Sequence, residues 1–184
     1  MKKIILSAGV IFILLLAYSC SKSDNSSNNS IIIPVTNLVK NGSFETNGEP
    51  SLSNWTEPDT IAKFAEDTPQ GGLKWCIYMD SQAVPPRFIK TAVSPGTGDK
   101  LYKFSFWAKT RYKTGFANFY LKRPDTLILL NTVPVVDSVW TQYMATDSIK
   151  TTASDSLVIG LSGGLSELFA GRTWFDLIRL EVVK

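Results

Sequence analysis

Few side chains in this sequence could carry out covalent or acid–base chemistry. It contains no histidine, and its two cysteines are Cys20 and Cys76. Without histidine, Ser–His and Cys–His nucleophiles, histidine metal sites and imidazole acid–base catalysis are all excluded. The acidic residues are scattered, mostly beside serine, threonine or proline, as in solvated turns. Glycoside cleavage needs two facing carboxyl groups. Because no pattern indicates such a pair, we predict that the protein is not an enzyme.

The first twenty residues account for one of the two cysteines. Two lysines precede an apolar run from Ile4 to Ala17, which ends in "LAYSC". This arrangement is typical of a secretory signal, and its end resembles the lipobox of bacterial lipoproteins. We therefore predict a lipoprotein signal peptide over residues 1–19 and lipid attachment to the sulfur of Cys20. The alternatives are an ordinary signal peptide or an uncleaved anchor. In either case Cys76 is expected to be a buried, inert thiol.

A polar segment follows the lipidation site. Residues 21–30, "SKSDNSSNNS", contain no apolar side chain, so we assign residues 20–36 to the lipidated cysteine and a flexible tether. The folded domain then covers residues 37–184. Anchored by its lipid, it is placed in the bacterial cell envelope at the outer membrane, and surface exposure is left open. Without Lys2 and Lys3 the 19 basic residues become 17, against 16 acidic ones. This near-neutral balance argues against a nucleic-acid partner.

The elements of the domain follow a period of two. In 101–109, Tyr102, Phe104 and Phe106 alternate with polar residues and Trp107. A second run, 116–122, follows after a Lys-Thr-Gly break, as expected of a hairpin partner. Further β-type runs cover 38–44, 60–64, 75–79, 86–93, 125–133, 138–146, 155–163 and 173–183. The pattern predicts an all-β fold, an antiparallel β-sandwich or jelly roll.

Three segments together resemble a known family. "NLVKNGSFETNG" followed by Trp55, then "KLYKFSFWAKT", then "GRTWFDLIRLEV" are similar to carbohydrate-binding modules of the family 4/9 type, which are galactose-binding-like jelly rolls. The resemblance spans residues 37 to 182. It implies a non-catalytic domain whose partner is a polysaccharide or oligosaccharide. One departure is Leu177, which stands where the closing strand of this family commonly has a second acid.

The same resemblance implies a structural calcium ion, Ca²⁺. Glu45, at the end of the first segment, and Asp176, in the last, are the positions that match its carboxylate ligands. Calcium takes six to eight oxygen ligands, many of them main-chain carbonyls. The alternative is that both acids only cap turns or pair with lysine or arginine.

Alternation also points to a ligand surface. If 101–109 and 116–122 form a hairpin, then outward-facing side chains of both strands share one exposed face, with two more in the connecting loop. The expected glycan-binding residues are Trp107, Asn118, Tyr120, Arg111 and Tyr112. Trp55, Trp140 and Trp174 are expected in the core. The alternatives are that this face is covered, or that the domain is a structural or protein-interaction module of a surface complex or adhesin, with other envelope proteins as partners.

Overall fold

The computed structural model describes residues 36–56, 61–81, 87–164 and 171–183. The predicted signal peptide, Cys20 and nearly all of the tether lie outside this range. Within it there is no helix long and apolar enough to cross a membrane. The strands in chain order are β1 (Glu45–Thr46), β2 (Glu49–Pro50), β3 (Ala62–Ala65), β4 (Cys76–Asp80), β5 (Ile89–Val93), β6 (Gly98–Arg111), β7 (Gly115–Arg123), β8 (Thr126–Val135), β9 (Thr141–Thr151), β10 (Ser156–Ser162) and β11 (Arg172–Val182).

The strands form two main sheets. One has four strands in the order β5-β10-β7-β8, and the other has five in the order β3-β4-β11-β6-β9, while β1 and β2 form a small ribbon. All the pairings are antiparallel. The predicted all-β antiparallel sandwich is therefore confirmed.

The core lies between the sheets and follows the predicted alternation. Tyr102, Phe104 and Phe106 of β6 are fully buried, and Phe119 of β7 is 1 % exposed. Phe104 and Phe119 belong to different sheets, and their rings stack with centroids 5.8 Å apart. Burial of each such side chain stabilises the fold by about 1.5–3 kcal/mol.

The predicted hairpin between β6 and β7 is wrong. β6 pairs with β11 and β9, whereas β7 pairs with β10 and β8 in the other sheet. The short connection between them crosses from one sheet to the other, and Tyr112 within it has a φ of 71°. Alternation identifies the inward face of each strand, but it does not identify the neighbouring strand. Outward residues of β6 and β7 consequently lie on opposite surfaces.

The predicted strand over 38–44 is a series of turns instead. Asn41 and Phe44 have φ values of 53° and 56°, in the left-handed region that a strand does not use. Phe44 is nevertheless fully buried, and its ring lies 5.1 Å from that of Trp55. Trp55 is 7 % exposed, as expected of a core residue. Gly42 is needed here because a Cβ atom would collide with the carbonyl oxygen of Ile178.

Candidate functional site

Trp107 lies on the outer face of the five-stranded sheet and is half-buried. It lines a cavity of about 420 Å³ together with Asn41, Gln142 and Leu177. The N-terminal turn therefore lies beside the indole, and Trp107 is not part of an open face.

Asn118 and Tyr120 lie on the outer face of the four-stranded sheet, opposite Gly160 and Val158 of β10. The expectation that they share a surface with Trp107 is wrong, because the two sheets place them on opposite sides of the sandwich. The predicted set of five residues is thus divided between different places.

Arg111 and Tyr112 are in a third place, at the end of β6. The guanidinium of Arg111 stacks 4.8 Å from the Tyr112 ring centroid, and its Nη2 donates a hydrogen bond of 2.8 Å to the Tyr112 hydroxyl. The Tyr112 side chain is 72 % exposed. These two residues contact each other where β6 ends, at one end of the five-stranded sheet.

Two aromatic rings flank a glycine on the outer face of the four-stranded sheet. A Cβ atom at Gly160 would stand 3.4 Å from the Phe88 ring and 3.5 Å from the Tyr120 ring. Both rings are half-buried. Because Gly160 has no side chain, the rings lie low against the strand and form a shallow aromatic floor.

Asn118 supplies a polar group beside this floor. Its Nδ2 donates a hydrogen bond of 2.7 Å to the Tyr120 hydroxyl, while its Oδ1 is buried and accepts no hydrogen bond among the described residues. A buried acceptor without a partner costs about 1–3 kcal/mol. A ligand hydroxyl that donates to it must first displace the side chains that cover it.

The same face continues into a cavity of about 480 Å³ near the β7–β8 turn. Its lining includes Lys90, Lys122, Leu127 and Val158, and the turn residues 123–126 close one end. We call the surface formed by Phe88, Lys90, Asn118, Tyr120, Lys122, Val158 and Gly160 the outer cleft. The cavity adjoins the outer cleft at Lys90, Lys122 and Val158, and the cavity's volume is within the range of about 300–1,000 Å³ that is usual for small-ligand pockets.

The outer cleft combines the two features that sugar binding requires. Flat rings can stack against the C–H faces of a pyranose, and amide and ammonium groups can bind its hydroxyls. Sequence reasoning found Asn118 and Tyr120 but missed Phe88, Lys90 and Gly160. An available signal was the glycine inside the β-type run "SLVIGLS", since a glycine within a strand often marks a close approach.

The outer face of the five-stranded sheet carries a different aromatic arrangement. Lys63, Tyr78, Trp174 and Lys109 are directly opposite one another across β3, β4, β11 and β6. Lys109 Nζ lies 5.3 Å from the Trp174 ring centroid and 5.1 Å from that of Trp140. We call these five residues the cation–aromatic row. Trp140 and Trp174 are half-buried members of it, so their expected place in the core is wrong.

Glu45 and Asp176 are both buried and close enough to interact electrostatically. Burial raises the pKa of Asp176 to about 7; the Leu177 N–H lowers it, and the negative charge of Glu45 raises it further. The Glu45 carboxylate accepts the Lys74 N–H at 3.0 and 3.1 Å. The Glu45 carboxylate is thus held by the backbone of the segment that precedes β4.

The two acids fit a hard cation. Asp176 Oδ1 accepts the Leu177 N–H at 2.7 Å, but Oδ2 is buried and has no hydrogen-bond partner among the described residues. A cation would satisfy this oxygen and offset the repulsion between the two carboxylates. No cluster of three or more acidic, cysteine or histidine side chains occurs in the described part of the chain, so main-chain oxygens would have to complete the shell.

Cys76 is a buried free thiol, as expected. Its Sγ donates a hydrogen bond of 3.0 Å to the Asp67 carbonyl. Burial raises the pKa of this thiol to about 12, so it is protonated at neutral pH and is a poor nucleophile.

Solved structures share this architecture over most of its length. The chain superimposes on the CBM22-1 xylan-binding domain of Xyn10C from Paenibacillus barcinonensis with a TM-score of 0.55 and 15 % identity, covering 82 % of this chain and 96 % of that one. A second match is TmCBM61 in complex with β-1,4-galactotriose, with a TM-score of 0.52, 16 % identity, and coverage of 79 % and 97 %. The fold is that of a carbohydrate-binding module jelly roll.

A third match belongs to an enzyme. The enzymatically active domain of tailspike protein 4 from bacteriophage CBA120 has a TM-score of 0.59 and 16 % identity, and the match covers 80 % of this chain but only 21 % of that one. At these identities the similarity shows the fold alone. No protein-family model matches the sequence, and no curated protein matches it significantly.

Proposed function

We propose that this protein binds a polysaccharide or oligosaccharide in the outer cleft without cleaving it. The observation that carries the proposal is the aromatic floor at Gly160, with the unsatisfied Asn118 Oδ1 beside it. The shared jelly-roll fold supports the same class of ligand. Among the described residues that line the cavity, the only acid is Asp125. A single carboxylate is too few for the usual glycosidase mechanism.

The proposed setting of this activity is the bacterial cell envelope. The support comes from the sequence, in which a signal-like segment ends at Cys20 and a polar tether follows. A lipid on Cys20 would hold the domain at the outer membrane, and the tether would let the outer cleft reach glycans near the surface. The protein would then be an accessory to glycan capture.

Substitutions on opposite faces test the binding site. Tyr120→Ala removes half of the aromatic floor, and Asn118→Ala removes the unsatisfied acceptor. We expect either change to weaken binding about tenfold or more on a glycan array or an affinity gel, which corresponds to about 1.4 kcal/mol. Trp107→Ala is the matched control on the other sheet and should leave binding unchanged. Loss of binding in Trp107→Ala, with full binding in Tyr120→Ala, would show that the glycan binds on the five-stranded sheet and not in the outer cleft.

We also propose that Glu45 and Asp176 hold a structural calcium ion. The support is the buried carboxylate pair with the unsatisfied Asp176 Oδ2. A cation that binds only the folded state at a concentration of 100 times its Kd stabilises it by about 2.7 kcal/mol. Calcium should therefore raise the Tm of the chelator-treated protein, and the rise should disappear in Asp176→Asn. An equal Tm with calcium and with chelator argues against the site.

A protein-interaction role is the second candidate function. It is favoured by β8, an edge strand among the described residues, on which Leu127 and Leu129 are 50 % and 53 % exposed. Exposed apolar edge strands readily pair with other chains. If this role is correct, the protein should bind no glycan and should sediment as a dimer or with an envelope partner. Leu129→Lys should then restore the monomer or release the partner.

A further inference from the structure

Two arginines face each other at one end of the paired strands β6 and β11. Arg111 of β6 and Arg172 of β11 are directly opposite in the register, a position in which like charges repel. Arg172 Nε donates to Asp80 Oδ1 at 2.8 Å, and Lys63 pairs with the other oxygen of Asp80 at 3.1 Å. Arg111 has no carboxylate partner among the described residues. Lys63 and Arg172 therefore share one carboxylate, and Arg111 adds a positive charge opposite Arg172.

Aromatic rings hold both guanidinium groups in place. The guanidinium carbon of Arg172 lies 4.1 Å from the Tyr78 ring centroid and 5.6 Å from that of Trp174. Arg111 stacks on Tyr112 and donates a hydrogen bond to its hydroxyl. Since each arginine is held by its own ring, little side-chain entropy remains to be lost when a ligand binds.

A small cavity lies between the two arginines. Its volume is about 200 Å³, and it is lined by Asp80, Arg111, Tyr112, Gly171, Arg172 and Trp174. This volume is below the usual range of about 300–1,000 Å³ for small-ligand pockets. The cavity is therefore suited to one sugar ring rather than to a segment of chain.

Tyr112, which follows the last residue of β6, has a strained backbone conformation. Its φ of 71° is uncommon for a residue other than glycine, asparagine or aspartate. Its large ring is also among the most exposed in the described part of the chain. Backbone strain combined with an exposed ring is typical of a ligand-binding position.

We propose that this cavity at the strand ends is a second binding site, which takes a single anionic sugar residue, a uronate. The carboxylate would lie between the guanidinium groups of Arg111 and Arg172, since arginine binds carboxylates through paired, charge-assisted hydrogen bonds. The sugar ring would contact Tyr112 and Trp174. The site is separate from the outer cleft and rests on the proposed function only for the ligand class, a glycan.

Titration with small probes tests this assignment. In NMR titrations of the folded domain, methyl glucuronoside should perturb the signals of Arg111 and Trp174, whereas the neutral methyl glucoside should not. Arg111→Gln should weaken glucuronoside binding about tenfold or more, and Lys122→Gln, a charge-matched change in the outer cleft, should leave it unchanged. Added salt should weaken binding, because the attraction is between charges.

Other outcomes would overturn the proposal. If methyl glucoside bound as tightly as methyl glucuronoside, or if Arg111→Gln bound the glucuronoside with unchanged affinity, the uronate carboxylate would have no role in binding. Binding of inorganic sulfate as tightly as the glucuronoside means that the cavity binds anions without recognising a sugar. Tyr112→Gly relieves the strained φ and should fold normally while losing the preference for glucuronoside over acetate. Tyr120→Ala should not affect this site, so a failure of the outer-cleft proposal is distinguishable from a failure here.

Discussion

On the outer face of the five-stranded sheet, Lys109 lies over the rings of both Trp140 and Trp174, at 5.1 and 5.3 Å. On the outer face of the four-stranded sheet, the rings of Phe88 and Tyr120 flank Gly160. Both faces carry aromatic residues on strands whose other side forms the core. They differ in what contacts the polar and cationic groups beside the rings.

In the cation–aromatic row, most of these groups bind one another. Lys109 pairs with Asp67 at 2.6 Å, and Trp140 Nε1 donates to the same carboxylate at 3.2 Å. In the outer cleft, Asn118 Oδ1 is buried and unsatisfied. We infer that the row stabilises the sheet and that the cleft is available to a ligand. The two faces therefore differ in whether the polar groups beside the aromatic rings already have partners in the protein.

The largest expected effect is on stability and comes from the ionisation of Asp176. Unlike the paired groups of the cation–aromatic row, this residue has a buried carboxylate oxygen without a hydrogen-bond partner among the described residues. Its folded pKa of about 7 is above the ordinary 3.8, so the folded state binds this proton more tightly than the unfolded state. In chelator, the free energy of unfolding should be highest when the acid is protonated and should fall by up to about 4 kcal/mol as pH rises from about 4 to 7. Urea unfolding over this pH range measures the fall.

Asp176→Asn isolates this effect, because the amide has nearly the same shape and does not ionise. We expect its stability to be nearly independent of pH over the same range. Asp99→Asn, at an exposed position, is the control and should retain the wild-type profile. If the stability of wild type and of Asp176→Asn changed with pH in parallel, ionisation of Asp176 would not destabilise the folded state.

The next largest effect is expected from Trp174→Ala in the cation–aromatic row. The change removes ring contacts with Lys109, Arg172 and Tyr78, whose ring centroid is 6.1 Å away. We expect a loss of about 2 kcal/mol in unfolding free energy, because each cation–π contact contributes about 0.5–1 kcal/mol when partly exposed and apolar area is lost as well. Glycan affinity at the outer cleft should not change.

Tyr120→Ala should show the opposite behaviour. We expect less than about 1 kcal/mol of lost stability at this half-exposed position, together with weaker glycan binding. If Trp174→Ala weakened binding of a neutral glycan at the outer cleft and Tyr120→Ala mainly lowered stability, the distinction between the two faces would be wrong.

Much of the fold could be predicted because alternation reports burial directly. Tyr102, Phe104 and Phe106 are buried as predicted, and the same reasoning applied to Phe175 would have placed Trp174 on the outer face. Pairing between strands was not predictable, because hydrogen-bonded neighbours leave no trace in the alternation of one strand. This is why Trp107 was expected beside Asn118 and Tyr120.

The candidate site was predicted only in part. Asn118 and Tyr120 face outward as alternation requires. Lys90 lies in β5 and Phe88 just before it, and β5 pairs with β10 and not with β7. The turn over 38–44 was missed because its left-handed residues are Asn41 and Phe44. A phenylalanine at positive φ is held there by the burial of its ring in the core, which no local pattern indicates.

Filling the floor of the outer cleft should weaken binding at a moderate cost in stability. Gly160→Val adds a branched side chain where the rings of Phe88 and Tyr120 now lie. Because position 160 is buried, both rings must move to admit the valine, which costs about 1–3 kcal/mol in unfolding free energy. We expect about a tenfold loss of glycan affinity as well. Gly160→Ala is the matched control, since its Cβ would make only ordinary contacts at 3.4 and 3.5 Å. Equal affinity in Gly160→Val and wild type would show that ligands do not reach this floor.

The smallest expected effect is that of the ion pair between Lys109 and Asp67. Burial raises the pKa of Asp67, but hydrogen bonds from Lys109 and Trp140 outweigh it and lower the pKa below 3.8. The pair therefore stabilises the fold at neutral pH, and this contribution is lost as pH falls through the lowered pKa.

The Asp67 side chain is 51 % exposed, so solvent screening limits the coupling to less than about 1 kcal/mol. A double-mutant cycle with Lys109→Met and Asp67→Asn measures it at pH 7 and again at pH 2.5, where it should be smaller. Glycan affinity should be the same in all four proteins of the cycle. A coupling that instead altered glycan affinity would connect the row to the outer cleft, and the two faces would then no longer act separately.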